Sequence, residues 1–397
     1  MGEYAWLEVG RVMKVQEVIM RAMSGELQWF EAAEILGVSC RTMLRWRRRY
    51  QAHGYDGLYD RRRQRPSPKR VPMEKVEEVL RLYREEYAGF NVSHFHDKLR
   101  EDHQIALSYE WVKKALQTAG LVSRGQRRRV HRKRRERRPM KGMLVFCDGS
   151  THEWLSLKPG QRQDLIVYLD DATNEAYCAY LVEEEGTLSC LEGLRQVIEQ
   201  QGLFCSLYTD RGSHFFHTLK TGGPVDKTRL TQIGRALAQL GIEHIPSYSP
   251  EARGRMERFF GTWQGRLPQE LRKAGITTLQ EANRYIAQRF LPWYNRTLTV
   301  AARESGSAFV PAGNTDLDAI LCVQHDRVVQ KDNTVTLGNL RLQIESAEWR
   351  VSFAKCQVKV CEHLDGSLSI RYGPRILGRY QPDGSSLSPP QKNRQIA

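Results

Sequence analysis

Long apolar runs are missing from this 397-residue chain: no stretch approaches the roughly 18 consecutive apolar residues that a membrane-spanning helix requires. The opening MGEYAWLEVG also lacks the charged-then-apolar layout of a secretory signal, so the protein is expected to stay inside the cell and off the membrane. Cysteine is short of pattern rather than of number. Eight are scattered without a C-x-x-C pair or a His-x-x-x-His partner, which argues against a disulfide framework and against zinc and leaves reduced, mostly buried thiols. Acid is the third shortage, with 46 Asp and Glu facing 61 Lys and Arg for a formal charge of +15. A surface of that sign draws in a polyanion by long-range steering, and the clustering of the excess points to nucleic acid. An acidic membrane fits less well, because no long amphipathic segment separates basic from apolar faces.

The length implies about two to four domains. Residues 1–60 carry helix-period apolar positions, Val12, Val15, Val18, Ile19 and Met23, then Phe30, Ala33, Ile35 and Leu36. Gly37 breaks the second run and Ser39 suits the N-cap of a third helix, with Met43, Leu44 and Trp46 facing inward and Arg41, Arg45, Arg48 and Arg49 on other faces. That is the layout of a helix-turn-helix whose second helix enters the major groove. A basic, proline-containing linker (61–72), opening with Arg61, Arg62 and Arg63, is expected to be extended and to follow a DNA backbone. A second helix-turn-helix unit is expected over 73–121, with Val76, Val79, Leu80 and Tyr83 on one face, Phe95 and Leu99 on another, and Ser108 as a cap. The linker at 122–139 then holds Arg124, Arg127, Arg128, Arg129, Arg132, Lys133, Arg134, Arg135, Arg137 and Arg138 against the single acid Glu136, a block that orders only against phosphates.

From residue 140 to 304 the composition turns globular. MLVFCDG, LIVYLDD and EAYCAYLV read as three strands, followed by a helix, the strand FCSLYTD, a second helix and the strand IEHIPSYS. That order suits a ribonuclease-H-like α/β sheet. Residues 305–382 break into short β-rich runs with hairpin signals at Asp332-Asn333 and Asp365-Gly366, for which a small closed barrel is the expected solution. Polar, turn-rich residues 383–397 are expected to be disordered. The fold class expected is therefore multidomain α+β: helix-turn-helix domains, a ribonuclease-H-like catalytic core and a C-terminal β-barrel.

Three acids hold recognisable places in the core. Asp148 ends the first strand before Gly149 and Ser150, Asp210 ends the fourth with Gly212 close behind, and Glu257 falls about two turns into a helix that Ser249 caps and Pro250 opens. On that helix Arg253, Glu257 and Phe260 share one face, and Phe259 and Trp263 pack on another. Carboxylates alone are the ligands that hard cations prefer, and two such ions about 3.5 to 4 Å apart can activate an attacking oxygen and stabilise a leaving one in phosphodiester displacement. Asp170 and Asp171 also end a strand, but at the far end of an antiparallel neighbour. Glu183, Glu184 and Glu185 read as an exposed turn, and His214 and His217 as loop or DNA-contact residues rather than a metal pair.

CDGSTHEW, YTDRGSHF and GIEHIPSYSPEARGRMERFFGTWQGRL together resemble the DDE core of insertion-sequence transposases in the retroviral-integrase superfamily, closest to the ISNCY-like group, over about residues 140–300. The resemblance implies that Asp148, Asp210 and Glu257 are catalytic residues holding two Mg²⁺ ions, with Mn²⁺ as a substitute, and that Arg253 stands near the DNA end. It further implies a cytoplasmic, nucleoid-associated bacterial enzyme that binds terminal inverted-repeat DNA, frees a 3′-hydroxyl and joins it to target DNA as a dimer or larger homo-oligomer. The segment HTLKTGGPVDKTR makes the interval from Asp210 to Glu257 longer than in the shortest members of that group, and helix-turn-helix units stand where retroviral relatives carry a zinc module. A DNA-binding regulator descended from a transposase, and a nuclease of the same fold that cuts without joining, are the rival expectations.

Overall fold

The structure, a computed structural model, describes residues 6–59, 70–124, 135–218, 223–226, 228–248, 254–347 and 349–387. It comprises two compact units, Met1–Val79 and Leu80–Ala397. Among the described residues no helix is long and apolar enough to cross a membrane.

The first unit holds three helices, α1 (Trp6–Met23), α2 (Trp29–Ile35) and α3 (Cys40–His53). Val12, Val15, Val18 and Ile19 of α1 close against Ala32, Ala33, Met43 and Leu58. Gly37 takes a φ of 61°, a left-handed conformation that costs glycine little, and so turns the chain out of α2. Ser39 then accepts a hydrogen bond from the Thr42 amide at 3.3 Å and starts α3, as its sequence suggested. Leu44 does not face inward: it is 44% exposed, one residue and so about 100° around the helix from fully buried Met43. Phe30 and Ile35 are exposed as well.

α4 (Met73–Glu85) runs across the boundary between the units, and in the second α5 (Val92–Glu101) and α6 (Tyr109–Thr118) precede the core. Asn91 caps α5 and Ser108 caps α6, each accepting from the amide three residues on. The core sheet takes β1 (Val145–His152), β2 (Gln163–Asp170), β3 (Ala176–Val182), β4 (Ser206–Thr209) and, later, β7 (Glu243–Pro246), in the order β3-β2-β1-β4-β7. The first three strands pair antiparallel, whereas β4 runs parallel to both β1 and β7. This is the ribonuclease-H-like order expected. A β5–β6 hairpin (His217–Thr218 and Val225–Asp226) leaves the sheet between β4 and α8 (Gln232–Gln239).

Both sheet faces are covered, which is why β2 is buried along its whole length. One face packs on α7 (Thr187–Gln201) and α8 through Val145, Cys147, Ile166, Leu194 and Leu237. Phe146, Val167 and Leu169 on the other meet Met256, Phe259 and Trp263 of α9 (Gly254–Gln264), backed by α10 (Leu267–Lys273), α11 (Leu279–Tyr285) and α12 (Leu291–Leu298). Residues after 304 continue this core, with Phe309, Leu317 and Leu321 packed on its α7 side; α13 (Leu317–Ile320) lies here.

The expected closed C-terminal barrel is not formed. β8 (Val323–Val328), β11 (Gln357–Glu362), β12 (Leu368–Tyr372) and β13 (Arg375–Tyr380) make an open sheet ordered β13-β12-β11-β8, and β9 (Thr334–Leu337) pairs with β10 (Leu340–Gln343) as a separate hairpin. These four-residue strands bond each other, and side chains rather than a ladder seal them to the sheet, through Val335, Leu342, Phe353, Val360 and Ile370. Residues 383–387, assigned in sequence to a disordered tail, are held on β13, where the Leu387 amide donates to Arg379 at 2.8 Å. Residues 388–397 lie outside the described residues.

Candidate active site

Neighbouring parallel strands bring the first two acids side by side. Val145 pairs with Leu207 and Phe146 with Tyr208, and the same offset carried two residues on, past the end of β4, would match Asp148 with Asp210. Side chains two apart share a face of a strand. The Phe146 and Tyr208 rings meet edge-on at 5.4 Å on one face, and Asp148 and Asp210 continue it. Asp148 is 9% exposed. Asp210, just past the end of β4, is half-buried, and its Oδ1 accepts the Gly212 amide at 2.8 Å.

α9 crosses that same face. Its first turn is tied down by Arg255, whose guanidinium pairs with buried Asp171, and the Asp171 amide in turn donates to Leu144 at 3.0 Å. Its last residue is tied by Gln264 Nε2, which donates to Ser150 Oγ at 3.0 Å. Glu257 lies between the two anchors, exposed, and shares a helical stripe with Gln264 seven residues on. Asp148 does not end its strand as expected: β1 runs on through Gly149 and Ser150 to His152, so Asp148 lies mid-strand, Asp210 just past the end of β4, and Glu257 on the helix that covers this face. Ser249, Pro250 and Arg253 lie outside the described residues.

The competing acids are committed elsewhere. Asp170 pairs with Val145, away from Asp148, and accepts from the amides of Gly142 and Thr173 and from the Thr173 hydroxyl. Asp171, fully buried, takes Arg255, Arg135 and the Arg138 amide. Arg135, expected on DNA, is therefore turned toward the protein; Arg61 to Arg63, Arg127 to Arg129, Arg132, Lys133 and Arg134 lie outside the described residues. Arg41, Arg45, Arg48 and Arg49 form an exposed row on α3.

Sequence reading passed over three features. Arg255 was one arginine among several, yet it is 8% exposed, and burial lowers its pKa to about 10 against the raising effect of Asp171. Glu185 is not in an exposed turn but half-buried, folded behind Gly149 and 3.3 Å from His214 Nε2. Burial lowers the His214 pKa, but the adjacent Glu185 carboxylate, with Asp210 behind, raises it overall. The third is a joint: His94 and Lys98 of α5 meet Glu270 of α10 at 2.6 and 2.9 Å, beside a cavity of about 150 Å³ remote from the acids.

Comparison with known proteins gives this geometry its family. The chain is 31% identical to "Putative transposase y4bF" of Sinorhizobium fredii (strain NBRC 101917 / NGR234) over 361 residues, covering 90% of this chain and 78% of that protein. The chain belongs to the DDE transposase family. A second relative, the transposase for insertion sequence IS1202 of Streptococcus pneumoniae, is 26% identical over 82% of this transposase and 77% of its own length. Residues 16–67 match a helix-turn-helix domain family and residues 42–116 a homeodomain-like one. Likeness to the HTLV-2 integrase catalytic core, solved in complex with magnesium, is slight: TM-score 0.30 at 16% identity, over 42% of this transposase and 94% of that chain.

Proposed function

We propose that this transposase binds the terminal inverted repeats of its own insertion sequence, cuts at the element ends and joins the freed 3′-hydroxyl to target DNA, with Asp148, Asp210 and Glu257 as its catalytic metal ligands. The observation that carries the reading is the parallel β1–β4 register, which sets two carboxylates on one face under the helix bearing the third. The site offers oxygen donors only, which fits Mg²⁺, or Mn²⁺ in its place. Bound as a pair, such ions supply activation of the attacking oxygen and charge neutralisation at the leaving one.

Around that centre each residue has a task. Gly212 fixes the Asp210 carboxylate through its amide, and Arg255 and Gln264 hold α9 so that Glu257 faces β1 and β4. In the first step water attacks phosphorus at the element end, the P–O3′ bond breaks, and the departing O3′ takes a proton. In the second, that 3′-hydroxyl attacks a target phosphorus and displaces another 3′-oxygen, so a phosphodiester is exchanged without ATP. The α3 arginines, with Arg253 and the basic linkers, position the repeats, and joining two ends requires a dimer or larger assembly. The protein works in the cytoplasm, at the nucleoid.

Purified protein with Mg²⁺ and labelled DNA from the ends of its element should yield joined products. Nicks alone would indicate a hydrolytic nuclease, and a shifted but intact fragment a regulator. Asp210→Asn should abolish nicking and joining while end binding stays within about twofold, since the change leaves the helix-turn-helix unit untouched. Strand transfer surviving in that variant would refute the assignment.

A further inference from the structure

Behind β1, on the face opposite Asp148, lies a second group of metal-binding side chains that the proposed chemistry does not use. Glu185 ends the turn after β3, Cys190 sits in the first turns of α7, and His214 lies in the loop that leaves β4. One donor atom from each falls within 4.8 Å of the other two. Glu185 Oε1 is 3.3 Å from His214 Nε2 and 3.9 Å from Cys190 Sγ. Zinc bonds of about 2.0 Å to nitrogen and oxygen and 2.3 Å to sulfur place tetrahedral ligands about 3.3 to 3.6 Å apart, so Glu185 and His214 already stand at ligand spacing and Cys190 must draw in toward them to close on one ion.

Two further observations suit a ligand set better than a plain ion pair. His214 Nε2 is buried and, although it faces Glu185, makes no aligned hydrogen bond. Gly149 leaves the room: a Cβ there would stand 2.1 Å from Glu185 Oε2, so glycine admits the carboxylate to the back of the strand. Cys190 is fully buried, as is Cys147, and both are free thiols. Thiolate, imidazole and carboxylate together select a borderline-soft ion over magnesium.

We propose that Glu185, Cys190 and His214 form a site for a Zn²⁺-class cation, separate from the three-acid site. Its consequence is mechanical. His214 and Asp210 flank Gly212, where an added Cβ would lie 3.0 Å from both Asp210 Oδ1 and His214 Cε1, so a bound ion clamps the Asp210 turn to α7. Sequence spacing hid the set, because 23 residues separate Cys190 from His214 and no C-x-x-C marks it.

The full-length protein, reduced, stripped with a chelator and held in excess Mg²⁺, is titrated with Co²⁺ and then Zn²⁺. One equivalent of Co²⁺ should give tetrahedral visible bands and a near-ultraviolet thiolate band, both lost on adding Zn²⁺. Cys190→Ser should remove the thiolate band, and half-exposed Glu185→Gln, a gentler change for the fold, should weaken Co²⁺ binding at least about tenfold. Asp148→Asn should bind Co²⁺ as the wild type does. Absence of the thiolate band in the wild type, its survival in Cys190→Ser, or its loss in Asp148→Asn would each overturn the proposal.

Discussion

Arg255 shows how one buried charge can fix a catalytic element. Its guanidinium and that of Arg135 both reach Asp171, which has no solvent contact, and its Nη2 also donates to the Arg135 carbonyl at 2.9 Å. Removing one partner of such a pair strands the other in low dielectric, a larger effect than the pair's net contribution. Arg255→Met leaves Asp171 with Arg135 and the Arg138 amide, so it should cost about 2 kcal/mol in chemical denaturation. Combining it with Asp171→Asn should cost less than the two single changes added, because the under-compensated carboxylate is then gone. Strict additivity would show that Arg255 acts by packing alone. None of this could be read from RGRMER, where Arg253, Arg255 and Arg258 look equivalent; only the strand that brings Asp171 beneath α9 singles one out. Asp148, Asp210 and Glu257 stood out in the sequence because glycines lie close to each, but β1 runs past Gly149 to His152, so the glycine after Asp148 marks room for a neighbouring side chain and not the end of the strand.

At the scale of elements, α5 is both half of a helix-turn-helix pattern and a docking strut. His94 and Lys98, one turn apart, converge on Glu270, whose second oxygen accepts from Tyr285 at 2.9 Å; Arg266 grips Asp97 at 2.8 Å and Asn91 donates to the Gly265 carbonyl at 2.8 Å. Burial opposes ionisation of Glu270, but the His94 and Lys98 bonds outweigh it and bring its pKa from 4.5 to about 2. Burial lowers that of His94 below 6.5, so it stays neutral at neutral pH. Both folded-state values lie below their unfolded ones, hence each group stabilises the joint fully above its unfolded value and loses that contribution as pH falls through the folded one. Protection of the α5 amides from hydrogen exchange should thus begin to fall below pH 6.5 and fall further below pH 4.5. In Glu270→Gln the α5 amides should exchange faster at pH 7 and lose the lower part of that dependence. An unchanged acid profile would mean that the joint rests on its apolar contacts. The sequence announced α5 by Phe95 and Leu99, but nothing in it singled out His94 and Lys98, because their partner lies more than 170 positions away.

For the whole molecule, the elements that could be read were those whose burial is set locally. Runs such as LIVYL, without a charged position, suit strands covered on both faces, and the core sheet follows from their order. The C-terminal strands were found too, but barrel closure depends on which distant edges pair, and the self-paired β9–β10 hairpin leaves the larger sheet open. Charge works over the longest range. The +15 chain presents Arg41, Arg45, Arg48 and Arg49 as an exposed row on α3, a helix held by its own core and cap. Replacing all four with alanine should leave unfolding of the protein nearly unchanged, within about 0.5 kcal/mol per site, because exposed side chains contribute little to stability. Binding to element ends should weaken, and the slope of log affinity against log salt should become shallower by about 0.9 for each arginine that met a phosphate, up to about 3.6 for four. An arginine that reads a base edge instead would reduce discrimination between element ends and unrelated DNA. If neither the slope nor that discrimination moves, α3 is not the element that reaches DNA, and the net charge must act through the linkers.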